Sequence, residues 1–275
     1  TQLVCADSDT LDVSGSITLT SSNAVDAEDE DGVTITNTGT IQATGTTTDD
    51  AIEGTSSLNL TVDNSGTIFA GRDWAIQLKE ADKITVTNRA TGTIKTTKGL
   101  NDSQAAVGGT KMGNSGNCVA AECFGLTLHN YGTIEANEEA VYGGGSDSQT
   151  SKKTKIYNYD GGTINADKRT VYILSGEDIE LYNYDGATIE SDDGHYGVNF
   201  KNSSTITIDN AGTISTSASY TVGLQNAVTV NLDNSGTISA GTNYAIANTG
   251  SIGTFTNTGT LTPTGNTGIS NQGSI

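Results

Sequence analysis

Short apolar runs recur along the chain with polar residues at every second position. Leu58, Leu60 and Val62 form one, Ile206 and Ile208 another, and Val228, Val230 and Leu232 a third. Period-two alternation in short stretches rich in Val, Ile and Thr predicts β-strands with one buried face. No stretch sustains the 3.6-residue period of a helix. Each run ends at an asparagine, crosses a short turn containing glycine, and resumes as Thr-Ile, as in Asn64-Ser-Gly-Thr-Ile68 and Asn234-Ser-Gly-Thr-Ile238. Copies of this corner begin at Asn37, Asn64, Asn88, Asn130, Asn158, Asn183, Asn210, Asn234, Asn257 and Asn271. The steps between them are 27, 24, 42, 28, 25, 27, 24, 23 and 14 residues. A third apolar piece follows each Thr-Ile segment, as at Ile76 and Leu78, Val171 and Ile173, or Val222 and Leu224.

Three short strands in a repeat of this length describe one coil of a parallel β-helix. The predicted fold is therefore all-β, a solenoid of about ten coils stacked at the inter-strand spacing, giving a rod on the order of 45–50 Å long. Residues 1–32 read as an N-terminal cap or first coil, and residues 33–275 as the β-helix. The long step reads as an insertion loop at about 101–123. A single coil orders too many residues for the few side chains it buries, so stability must build cooperatively along the stack.

The corner residues have structural reasons to recur. Stacked asparagine amides hydrogen-bond from coil to coil, as in the ladders of cross-β structures. Asn37, Asn64, Asn88, Asn130, Asn158, Asn183, Asn210, Asn234 and Asn257 are thus expected to form a ladder. Glycine at the corner is expected to supply φ values closed to other residues. The outward threonine of Thr-Ile favours strand geometry while staying polar.

Composition agrees with a thin, repeated core. Hydrophobic residues make up 33% of the 275 residues, against about 45–50% in an average globular domain. There are 34 glycines and a single proline, Pro263. The net charge of −19 argues against nucleic acid as a partner, since phosphate binding needs clustered Lys and Arg. No apolar run approaches the roughly 20 residues of a spanning helix, so no membrane span is expected. The only Met is Met112, which suggests a removed leader or a mature end.

Several features are candidates for chemistry or binding. Cys118 and Cys123 bracket four residues within the insertion, and a local disulfide is expected there, with two free thiols as the other reading; a disulfide would imply an oxidising, extracytoplasmic setting. Tyr131, Tyr159 and Tyr184 each follow the corner asparagine in successive units. Equal phase predicts an external ladder, read either as an interface for a glycan or protein partner or as stacking that supports longer turns. Tyr157 and Tyr182 precede the asparagine, and His129 shares their position. The acidic run Asp26–Asp31 could collect Ca2+ but reads better as a solvated edge. No cofactor, metal or catalytic group is expected. Asp192, Asp193 and His195 superficially match pieces of pectin hydrolases, but glycoside hydrolysis needs two carboxylates at a set separation, and adjacent aspartates do not establish that.

The repeated Asn-x-Gly-Thr-Ile units, followed by Ala-Ile or Ala-Val strands, resemble the passenger regions of autotransporters and related bacterial surface adhesins. The resemblance runs from about Val33 to Ile275. It implies a right-handed parallel β-helix, export to the cell surface or outside the cell, and a role in adhesion, aggregation or surface coating. A C-terminal membrane-barrel segment is missing from this sequence, which suggests a released passenger, a piece of a longer chain or another export route. The chain stops inside a repeat, and head-to-tail stacking of copies into a filament is expected. The alternative is an adhesin that binds glycans or cell-surface proteins through the insertion and the tyrosine ladder. A polysaccharide lyase or hydrolase is the least favoured reading.

Overall fold

A computed structural model describes residues 1–45, 49–97, 105–113, 124–145, 150–193, 195–217, 219–227, 229–265 and 268–274. Its described residues form strands and no helix. The strands assemble into three parallel sheets, and successive strands of the chain visit the sheets in rotation. Each sheet therefore grows by one strand per coil. The result is a β-solenoid of about ten turns with three strands per coil, which fits the right-handed parallel β-helix. The expected insertion contains a strand, Ala105–Gly109, which pairs with Ile76–Gln77 on one side and Glu139–Gly143 on the other. Residues 1–32 already contribute to all three sheets, through Leu3–Val4, Thr10–Val13, Ser16–Leu19 and Val25–Asp26.

The alternation seen in the sequence places one apolar column inside each sheet. In the second sheet, Ile35, Val62, Val86, Leu128, Ile156, Leu181, Ile208 and Leu232 lie in direct register. The third sheet stacks Ile41, Ile68, Ile94, Ile134, Ile164, Ile189, Ile214 and Ile238 in the same way. The first sheet contributes Val25, Ile52, Ile76, Val107, Val141, Val171, Val198, Val222 and Ile246. These side chains are buried throughout. The three columns meet along the axis, so the core is one side chain deep from each wall and as long as the rod. A core of this shape explains how 33% apolar residues suffice.

The asparagines end the strands of the second sheet and point inward, as their burial shows. Each Nδ2 donates to the Oδ1 of the next asparagine along the column from Asn37 to Asn257, at 2.7–2.9 Å. The second amide proton goes to a backbone carbonyl of the next coil, as from Asn37 to Thr67 at 3.1 Å. That carbonyl can only accept, which assigns the amide orientation. Val13 occupies the same position in the coil before Asn37, so the column begins at the second coil.

The corner glycines are needed for a reason other than the expected one. Gly39, Gly66, Gly236 and Gly259 do not have positive φ. A Cβ on Gly66 would instead stand 2.1 Å from the carbonyl oxygen of Gly39 in the preceding coil. Close approach of stacked backbones at the corner excludes a side chain there. Among the glycines of the Asn corners, positive φ is found in the longer turns, at Gly161 and Gly186, both at +77°. Asn271 also lies elsewhere than the repeat suggested. It pairs with Asn248 at the end of a first-sheet strand, and Asn248 donates to it at 2.7 Å. The short last step thus joins two different corners of the coil, and Asn248 begins a second Asn-x-Gly corner.

Candidate functional site

Two aromatic ladders stand side by side on the outer face of the second sheet. One contains His129, Tyr157 and Tyr182, which share one register position in successive coils. Their rings stack at 5.1 Å within 7° of parallel. The other contains Tyr131, Tyr159 and Tyr184 from the turn just beyond, stacked at 4.2 and 5.0 Å. The ladders are joined by a contact of 3.0 Å between His129 Nδ1 and the Tyr159 hydroxyl. The sequence-predicted tyrosines are therefore brought together, with His129 among them. Because successive rings cover one another's faces, the inner rings Tyr157 and Tyr159 offer edges rather than faces. Tyr184, the most exposed, is 38% accessible.

Burial in this cluster disfavours the charged forms of Tyr159, Tyr182, Tyr184 and His129. Burial, then the neighbouring Tyr131, pushes the Tyr159 hydroxyl up to about 12. Burial and Glu180 push Tyr182 up to about 12. Burial, with a smaller contribution from Arg89, lowers the His129 imidazole. Arg89 itself is held by both oxygens of Asp63, at 2.6 and 2.7 Å. Beside the ladders lies a groove of about 240 Å3 bounded by Phe124, Lys153, Lys155 and Glu180. The Lys153 ammonium sits 4.9 Å above the Phe124 ring, and Lys155 pairs with Glu180 at 3.0 Å.

The other candidates are placed less suggestively. Cys118 and Cys123 lie outside the described residues, as does Val228. Cys5 is buried and free. In the acidic run, Asp26 accepts from Gln2 at 3.1 Å and from the Glu28 amide, and Asp31 accepts from Asn59 at 2.7 Å. These carboxylates are engaged one by one, and the described residues hold no cluster suited to a metal ion. Asp192 and Asp193 are exposed at a corner, with Asp192 accepting from Asn165 at 3.0 Å. His195 is exposed beside them, its backbone N–H donating to the Lys168 carbonyl.

Two features were missed in the sequence. Tyr196, Tyr220 and Tyr244 recur every 24 residues and stack on the outer face of the first sheet, at 5.5 and 5.9 Å. Their equal spacing was the available signal. The second feature is a buried carboxyl at a corner near the N-terminal end. Asn23 and Asp50 have equal phase, and each side-chain oxygen accepts the backbone N–H of the coil above. Asn23 Oδ1 receives the Asp50 N–H and Asp50 Oδ1 receives the Trp74 N–H, both at 2.8 Å. Asp50 is 2% exposed, and burial, followed by a hydrogen bond to Glu53 and the charges of Glu53 and Asp73, pushes its carboxyl up to about 10.

Comparison of the chain with protein-family models, with curated proteins and with solved structures returns no match. No helix among the described residues is long and apolar enough to cross a membrane.

Proposed function

We propose that the chain is the rod of an exported bacterial surface protein, acting as a structural element of a coat or filament with a role in adhesion or aggregation. The observation that carries this reading is the asparagine column. It runs through nine coils in unbroken register and ties each coil to the next by buried amides as well as by three sheets. Buried, fully bonded polar networks of this kind specify a single arrangement and resist local distortion. The contact between coils repeats along three parallel sheets, and the strands of an end coil can pair with those of another copy. Head-to-tail contacts that do not close produce open fibres. The Asn-x-Gly-Thr-Ile units, similar to those of autotransporter passengers, support export. The reading is a non-catalytic one. It is tested by electron microscopy and light scattering of the purified chain at physiological salt. Fibres with an axial repeat near the rod length support it, and a monomer at high concentration refutes assembly.

The outer ladder of Tyr131, Tyr159 and Tyr184, the last of them exposed, favours a second reading, an adhesin contacting cell-surface glycans or proteins. Replacing the three together should then abolish attachment to cells and leave assembly intact.

A further inference from the structure

The tyrosine row on the first sheet lines a groove of about 340 Å3 that the rod function does not use. Tyr196, Tyr220 and Tyr244 form one wall, and Gln225, Ser270 and Gln272 are among the polar residues that complete it. The volume lies in the range of small-ligand sites, about 300–1,000 Å3. The Tyr196 ring lies across the next strand at Gly223, where an added Cβ would stand 2.5 Å from the Tyr196 Cε1. Gln225 Nε2 donates to the Tyr196 hydroxyl at 2.6 Å and fixes the ring in that pose. Glycine at this register position is what admits the ring, since Asn199 before it and Ala247 after it carry side chains. The Asn199 amide oxygen lies 3.2 Å from the same point on Gly223. It is buried and has no hydrogen-bond partner among the described residues.

We infer that this groove binds a neutral oligosaccharide lying along the rod axis. Every residue lining it is uncharged, in a chain whose net charge is −19. A phosphate or uronic acid would find no cation there, and a basic peptide no carboxylate. A purely apolar ligand would cover the Gln272 and Ser270 side chains without giving them hydrogen bonds, which is costly. A sugar chain meets both demands. Its hydroxyls pair with the Gln272 amide, the Ser270 and Thr249 hydroxyls and the phenols, and its C–H groups rest against the tyrosine edges. The lining repeats at each coil, about 4.8 Å apart, so consecutive sugar units meet equivalent tyrosines. Binding is a property of one rod and is decided whether or not copies assemble.

Isothermal titration of the purified chain with cellohexaose, laminarihexaose and maltohexaose tests the inference, with hexagalacturonate as the charged comparator. At least one neutral hexasaccharide is expected to bind, and Tyr220→Ala should weaken it roughly tenfold. Gly223→Ala places a methyl where the Tyr196 ring rests and should weaken binding severalfold with an unchanged circular dichroism spectrum and melting temperature. Tyr159→Ala, on the second sheet, should bind as the wild type does. If Tyr220→Ala melts early, Gly223→Ala decides. The inference is overturned if all three neutral sugars fail at millimolar concentration or hexagalacturonate binds equally well. It is equally overturned if the deciding variant binds like the wild type or Tyr159→Ala loses as much.

Discussion

Replacing Asp50 by asparagine should stabilise the rod, and by an amount that grows with pH. Asp50 is buried beside Glu53 and Asp73, and its carboxyl is pushed from 3.8 up to about 10. In the folded chain it therefore keeps its proton at neutral pH, while in the unfolded chain it loses it. Below about pH 4 both states are protonated and the group imposes no penalty. Between pH 4 and pH 10 the folded state holds the extra proton, so stability falls by about 1.4 kcal/mol for each unit of rising pH. At pH 7 the three-unit gap amounts to about 4 kcal/mol. Asn23, one coil earlier, shows that an amide fits this corner. Its Oδ1 accepts the backbone N–H above at 2.8 Å, and its Nδ2 lies 3.4 Å from Glu53 Oε2. Asp50→Asn should thus keep the bond to the Trp74 N–H and remove the titration. Urea denaturation of both proteins at pH 4, 7 and 9 reads the effect. The variant should match the wild type at pH 4, gain about 2–4 kcal/mol at pH 7 and gain more at pH 9. Parallel pH profiles, or a variant weaker than the wild type at pH 7, would refute the reasoning.

The remaining predictions concern the stack itself. Asn130→Ala removes the acceptor of Asn88 and the donor to Asn158 in the middle of the column. It should cost about 2–4 kcal/mol in chemical denaturation, and a loss below about 0.5 kcal/mol would show that the amides are not coupled. Gly66→Ala and Gly161→Ala separate the two uses of glycine. The first drives a methyl into the Gly39 carbonyl, and the second meets nothing within 4 Å but sits at φ +77°. Gly161→Ala should cost about 1 kcal/mol and Gly66→Ala clearly more, measured as loss of denaturation midpoint. Because each copy carries −19, raising salt from about 0.01 to 0.15 M shortens the screening length from about 30 to 8 Å. Light scattering should then show assembly rising with salt, and assembly that falls with salt would point to contacts between opposite charges.

The coil was legible because its rules are local. Period-two alternation in stretches such as Leu60–Val62 and Ile206–Ile208 needs one buried face and one wet face, and the outer faces of the second and third sheets meet that condition. Ala105–Gly109 escaped notice because all five residues are buried, so no alternation survives to be read. The two-part corner at Asn248 and Asn271 was hidden by its likeness to the other corners, since sequence alone does not say which sheet an asparagine ends. The aromatic pairs around Asn130, Asn158 and Asn183 were visible because each adjoins the motif. Tyr196, Tyr220 and Tyr244 adjoin no motif, and only their spacing links them. Nothing in Asp50 as a letter distinguishes it from the many solvated acids around it. Its burial is a consequence of three corners closing over one another. The glycine corners were placed correctly but explained by φ, because a clash with the coil below becomes visible only once the coils are stacked.

The asparagine column has an electrical direction. Every amide from Asn37 to Asn234 donates toward the higher-numbered coil, so the side-chain dipoles add head to tail along the axis. The backbone bonds of parallel sheets have little net moment of this kind. Two rods brought together end to end in the same sense align these moments, with the Val13 coil between the two columns. Two rods meeting in opposite senses set like poles against each other, so any fibre they build should itself be polar, with distinguishable ends and growth that favours one of them.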